Sequence, residues 1–168
     1  MIIRTSTAIG LTRDKIALVD DADFATINQH KWYAEKIGRR WYAARRRWIP
    51  GGKGKSQKIY MHQDILGPRP EGKEVDHKDR DGLNNQRSNL RWATRTQNNA
   101  NRARRASRCG YQGVYPDGNR FLAKISDGKR QVYLGCFKTP EDAARAYDAA
   151  ATKIHGEFAT VNFAVAVS

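Results

Sequence analysis

In "KIALVD" an apolar run from Ile16 to Val19 lies between Lys15 and Asp20, and Ile16 and Leu18 mark a strand. The longer stretch "KIALVDDADFATINQHKWYAEK" reads as a strand, a short helix and a second strand, with Asp20 or Asp21 able to cap the helix. "RRWYAARRRWIP" is aromatic and basic, with Trp41, Tyr42 and Trp48. Such aromatics pack in cores more often than not, while the Arg between them could reach phosphate. "GGKGK" makes a hairpin-like loop, and "SQKIYMHQDIL" returns as a strand or a helix start.

"GPRPEG" (67–72) breaks the pattern. After it, "EVDH" predicts a short strand, "RDGLNN" a turn with the Asp-Gly signal, and "LRWAT" a second strand. Thr94 or Thr96 then caps a helix through "QNNANRARR". "RRASR" (104–108) has the texture of a linker. Beyond it, "GYQGVYPDGNRFLAKISDGKRQVYLGCF" predicts three short strands split by "DGN" and "DGKR". One helix follows over "TPEDAARAYDAAATKIHG", with Thr139 as its cap, Pro140 at its first position and Gly156 at its end. The fold class expected is α+β: a first domain over 1–105, a linker at 106–109, and a second domain at 110–168 whose small antiparallel sheet packs on one helix.

Charge changes the picture. The 168 residues carry 31 Lys and Arg against 17 acids, a net charge of +14. A polyanion partner follows, and nucleic acid is the commonest. The surplus is uneven: residues 36–60 hold nine bases and no acid, whereas 109–168 hold seven bases and six acids. No apolar run approaches the roughly 20 residues of a membrane span, and no signal peptide opens the chain. The expectation is a cytoplasmic, non-secreted protein with no membrane partner and no evident small-molecule substrate. Cys109 and Cys136 stand far apart without a CxxC pair, which argues against structural zinc and for free thiols.

The chemistry concentrates in "VDHKDRDGLNNQRSNLRWAT" (75–94) and "TQNNANR" just after it. Phosphodiester hydrolysis needs an activated water, charge relief at phosphorus and help for the leaving oxygen. Neutral His is a general base near pH 7. A hard divalent cation supplies the rest through oxygen ligands such as Asp and Asn. Two other metal readings fail. Over "HKDRDGLNNQRS" an EF-hand would want an acid where His77 and Ser88 stand, and no HExxH occurs. Adjacent strand residues point to opposite faces. Asp76 and His77 can therefore share a site only if the strand ends or bends there.

"VDHKDRDGLNNQRSNLRWATRTQNN" resembles the core motif of HNH homing endonucleases, the ββα-metal nucleases, over about 25 residues. "ALVDDADFATINQHKWYA" and "IYMHQDIL" resemble the family's usual lead-in. The resemblance implies a ββα-metal core at about 74–103 with His77 as general base. It further implies Asp76 and Asn98 as ligands of one magnesium or manganese ion, and Asn89 as a brace for the loop that carries His77. Asn99 competes with Asn98. Asn84 and Asn85 read as turn formers, Asp79 and Asp81 as solvated turn residues, and His30 and His155 as structural. His62 is a packed or phosphate-contacting residue.

"GVYPDGNRFLAKI", "YLGCFKTPEDAARAYDAAA" and "GEFATVNF" resemble the Apetala/ethylene-response-factor DNA-binding domain over 110–163. That family lays its sheet on the major groove, which implies a reading face of Arg120, Lys124, Gln131 and Tyr133, with Gln112 and Tyr115. Plant members often carry Arg or Trp at Gln112, Tyr115 and Tyr133, so their target cannot be transferred. Phosphate contacts are expected from Arg45, Arg46 and Arg47 and from Arg102, Arg104 and Arg105. The whole reads as a phage-borne, site-directed endonuclease of double-stranded DNA, acting as a monomer, with a dimer as the alternative. Its rivals are a sequence-specific DNA-binding or transcription-regulating protein with a decayed nuclease, and an RNA-binding protein.

Overall fold

The computed structural model describes residues 6–51, 54–102 and 107–163. It is a mixed α/β chain of small antiparallel sheets. Two compact units divide it, Met1–Thr94 and Arg95–Ser168.

In the first unit β1 (Ser6–Gly10) pairs antiparallel with β2 (Ile16–Asp20), and α1 (Asp21–Ile27) follows. β3 (Tyr33–Ile37), β4 (Arg40–Trp48) and β5 (Ser56–Tyr60) form a three-stranded sheet in that order, and α2 (Met61–Leu66) leaves β5 directly. β6 (Glu74–His77) pairs antiparallel with β7 (Leu90–Ala93). The core gathers Ile9, Ala17, Val19, Ile27, Trp32, Ala43, Met61, Ile65 and Leu90.

The structure adds to the sequence expectation and departs from it in places. β1 is an added strand that the sequence expectation did not include. On β2 the inward face belongs to Ala17 and Val19, both fully buried, while Ile16 is 56% exposed. Trp48 is 66% exposed rather than packed in a core. Asp20 does precede α1, but it does not cap the helix through its side chain. Its carboxylate instead accepts from Arg87 N at 2.8 Å and Gln86 Nε2 at 3.3 Å.

The second unit begins with α3 (Arg95–Ala100), shorter than the expected helix and starting directly after Thr94. Thr160 Oγ1 donates to the Ala100 carbonyl at 3.0 Å. β8 (Val114–Asp117), β9 (Arg120–Ser126) and β10 (Gln131–Phe137) form a sheet with β9 in the centre, followed by α4 (Pro140–His155) and a 3-10 turn at Gly156–Phe158. The α4 start is as the sequence dictates. Thr139 Oγ1 accepts from Asp142 N at 3.2 Å, and Pro140 opens the helix. Ala123 and Ile125 of β9 are buried toward Ala143, Ala144, Tyr147 and Ala151 of α4. Gly113 is required by close approach: a Cβ there would sit 2.0 Å from the Tyr147 ring. Among the described residues, no helix is long and apolar enough to cross a membrane.

Candidate functional site

β6 ends at His77, so the strand breaks where the shared use of Asp76 and His77 requires it. Both are nearly closed to solvent, at 3% and 6% exposure. The chain then turns: Arg80 N donates to the His77 carbonyl at 2.9 Å, and Arg80 adopts a left-handed φ of 69°.

Asn89 locks this turn. Its Nδ2 donates to Asp79 Oδ1 at 2.9 Å and to the Asn84 carbonyl at 2.8 Å, and its Oδ1 accepts from Asp79 N at 3.0 Å. Lys78 N adds a bond to the Asn89 carbonyl at 2.9 Å. Asp79 is the second hub, taking Asn84 Nδ2 at 2.7 Å and Asp81 N at 2.8 Å. Asp79 is therefore an exposed residue of the turn, as expected, that also organises it. The turn is pinned on β2 as well, where Asn85 N reaches the Leu18 carbonyl at 2.7 Å and Leu18 N the Leu83 carbonyl at 2.9 Å. It also lies against β4: a Cβ on Gly82 would fall 2.4 Å from the Trp41 carbonyl oxygen and 2.5 Å from the Tyr42 ring.

His77 sits in a cluster of rings. The His62 ring meets it edge-on at 5.2 Å between centroids, and Tyr42 does so at 6.0 Å. Tyr60 stacks flat on His62 at 5.4 Å and donates its hydroxyl to Glu35 Oε2 at 2.8 Å. Glu35 also binds Lys58 Nζ at 2.5 Å, and this hydrogen bond, more than any other cause, lowers its pKa. Burial pushes the His77 pKa below its ordinary value, opposed by the fully buried Asn85 and by the charges of Asp79, Asp76 and Asp81. Burial, with the neighbouring His77, pushes His62 down to about 3. Both rings are neutral at pH 7. A neutral imidazole can accept a proton from water, whereas His62 at so low a pKa is a packing partner rather than an acid.

Asp76 faces Arg91 across the β6–β7 pair, and Arg91 Nε lies 2.8 Å from Asp76 Oδ2. Among the described residues, no group of three or more His, Cys, Asp or Glu could hold a metal ion. A donor set with so few protein carboxylates does not suit a caged ion. It suits a hard cation that keeps waters and takes substrate oxygens. Asn98 and Asn99 both lie on α3.

The basic residues divide. Arg46 and Arg47 are exposed on β4, where Arg46 donates to Ser56 Oγ at 3.2 Å and Arg47 to Gln57 Oε1 at 3.0 Å across the hairpin. Arg45 is instead paired with Asp64 at 2.8 Å and lies over the Trp32 ring at 5.6 Å. Arg102 is exposed, while Arg104 and Arg105 lie outside the described residues. On the second unit's sheet, Tyr133 is opposite Lys124 and Gln131 opposite Ser126, with Tyr133 59% and Tyr115 47% exposed. Arg120 shares this exposed surface and donates to the Cys136 carbonyl at 2.9 Å. Gln112 is turned inward: its Nε2 donates to Tyr147 Oη at 2.6 Å and its N to Asn162 Oδ1 at 2.6 Å.

Sequence reasoning missed the roles of Asp79, Asn85, Tyr42 and Arg91. Only the Asp-Gly turn signal pointed at the first. The others come together through strand register, which no local pattern encodes.

Residues 61–100 match a family model described as HNH endonuclease. An uncharacterized HNH endonuclease of Acanthamoeba polyphaga mimivirus is 29% identical over 156 residues, 93% of this chain and 79% of the viral protein. An AP2-like ethylene-responsive transcription factor of Arabidopsis thaliana is 44% identical over 66 residues, 38% of this chain and 14% of that protein. Ethylene-responsive transcription factor 3 of Nicotiana tabacum is 54% identical over 46 residues, 26% of this chain and 20% of that protein. The chain thus spans only a small part of these plant relatives, whose similarity falls in its C-terminal region.

Proposed function

We propose that this chain, in which an HNH segment is joined to a C-terminal AP2-type domain, is a site-directed endonuclease of the homing type that hydrolyses double-stranded DNA. The observation that carries the reading is the end of β6. There a buried carboxylate and a neutral, buried imidazole are adjacent and braced by Asn89. The family match over 61–100 and the viral relative support nuclease activity. The cleaving part is assigned to 1–105 with a ββα-metal core at about 74–103. The linker is 106–109, and 110–168 helps to choose the target.

His77 is the general base. Its neutral ring takes a proton from water as the oxygen of that water bonds to phosphorus. The phosphorus–oxygen ester bond breaks, and the leaving oxygen gains a proton from solvent. Asn89 and Asp79 hold the turn after His77, so the ring does not need to be ordered at the moment of reaction. Asp76 and Asn98 would hold one magnesium or manganese ion, which would supply charge neutralisation at the phosphate and at the leaving oxygen. Arg46, Arg47 and Arg102 contact backbone phosphates, and Arg104 and Arg105 extend that stretch in sequence. Tyr115, Arg120, Lys124, Gln131 and Tyr133 form the face that reads bases. One Asp-His pair per chain favours a monomer that nicks one strand per engagement.

The test is to incubate the full chain with a genomic DNA pool and magnesium and to sequence the new ends. Recurrent ends at one sequence support the reading, and a pool left intact with magnesium or manganese sinks it.

A further inference from the structure

A carboxylate withdrawn from water as far as Asp76 needs a counter-charge. Left alone it would cost several kcal/mol. In this chain that charge is Arg91, opposite Asp76 on β7, with Nε 2.8 Å from Oδ2. The two side chains are 11% and 3% exposed, so the pair is mostly closed to solvent and weakly screened. Yet Asp76 is also the carboxylate assigned above to a divalent cation. A guanidinium in contact with the same carboxylate opposes that cation by charge. A loaded site without DNA would hold the cation's two positive charges, Arg91 and a single carboxylate. A phosphate removes one unit of that excess, and the planar guanidinium is well shaped to bind it.

We propose that Arg91 is a positioning residue that stands in for the cation at Asp76, holding the carboxylate in place in the cation-free protein and yielding it when a DNA phosphate takes the guanidinium. The inference rests on Asp76 as a cation ligand. Cation and DNA then each favour the binding of the other by the same factor. The arrangement keeps the site from loading fully away from DNA.

The test uses the full chain and manganese alone, followed by the electron paramagnetic resonance signal of the free ion. Arg91→Met and Arg91→Gln remove the charge, and the second keeps a hydrogen-bond donor should the first fail to fold. Either variant should bind manganese at least about tenfold more tightly than the wild type, since one like charge is removed from a poorly screened site. Arg91→Lys should stay near the wild type. Without metal, the melting temperature of Arg91→Met should fall below that of the wild type and recover as manganese is added. At fixed ionic strength, manganese should tighten binding of a cleavage-resistant duplex to the wild type more than to Arg91→Gln, read by anisotropy of a labelled strand. Manganese affinity unchanged or weaker in both neutral variants overturns the inference, as does an equal effect of manganese on duplex binding. Asp76→Asn separates the two levels. If it loses manganese while the Arg91 variants match the wild type, only the role of Arg91 fails. If it binds manganese as the wild type does, Asp76 is not a ligand and both fail.

Discussion

Asn89→Ala removes three hydrogen bonds from the turn after His77: two donated by Nδ2, to Asp79 Oδ1 and the Asn84 carbonyl, and one accepted from Asp79 N. Asn89 is 7% exposed, so water does not readily replace them. At about 0.5–1.5 kcal/mol net for each bond, and more for the one to a carboxylate, the loss comes to about 2–4 kcal/mol. That is a large share of the 5–15 kcal/mol typical of a domain. All four Trp, at 32, 41, 48 and 92, lie in the first unit, so Trp fluorescence during urea unfolding reports that unit alone. The midpoint should fall with little change in slope. Asn89→Asp is the sharper probe. It keeps the shape but sets a carboxylate 2.9 Å from Asp79 Oδ1 in place of a donor. It should destabilise at least as much as Ala at pH 7 and recover part of the loss near pH 4. An Asn89→Ala protein within about 0.5 kcal/mol of the wild type would refute the claim that this side chain holds the turn.

Further outcomes follow from the same geometry. The folded-state pKa values of His62 and His77 lie below the unfolded value near 6.5, so neither contributes to stability above pH 7. As pH falls from about 6.5, the unfolded chain takes up protons that the folded chain refuses, and stability should drop by up to about 1.4 kcal/mol per pH unit for each ring. Urea midpoints between pH 7 and 5 check this, and His62→Gln should remove part of the slope. Gly82→Ala should be among the most damaging single-methyl changes, because its Cβ meets backbone at 2.4 Å, and failure to lower the thermal midpoint would sink the assigned packing. Of the net +14, residues 1–108 carry +13. A chain truncated after Arg108 should keep most of the salt dependence of DNA binding, at about −0.9 in log–log slope per phosphate contact. It should still nick DNA, with its choice of site blurred. Binding to preferred and random duplexes and nicking across a salt series check this, and a truncated chain that loses most of the slope or no longer nicks contradicts it.

What the sequence made legible was local. Thr139, Pro140 and Gly156 bracket α4 because caps are written within four residues of the ends they serve. A sheet packed on one helix was expected in the second domain, and Ala123 and Ile125 of β9 are buried toward α4. The turns "DGN" and "DGKR" separate β8, β9 and β10. What it hid was set by register and by distance along the chain. Arg45 was grouped with Arg46 and Arg47, yet it pairs with Asp64, 19 residues on. Gln112 was grouped with the reading face, yet it bonds to Tyr147, 35 residues on. Asp76 meets Arg91 only because β6 and β7 pair in one register. Motif resemblance named Asp76, His77 and Asn89 together, but not the ring cluster around His77, whose members come from β4, β5, α2 and β6.

The central claim is that His77 does chemistry on DNA rather than holding the fold. Nicking of duplex DNA by the full chain in magnesium, compared with that of His77→Ala, tests it most directly. DNA binding is measured on the same samples, and EDTA serves as the metal-free control. The account predicts a loss of roughly 10² to 10⁴ in rate, the scale of a missing general base, with binding retained and no cleavage in EDTA. Cleavage by His77→Ala at the wild-type rate, or by the wild type at full rate in EDTA, would contradict it.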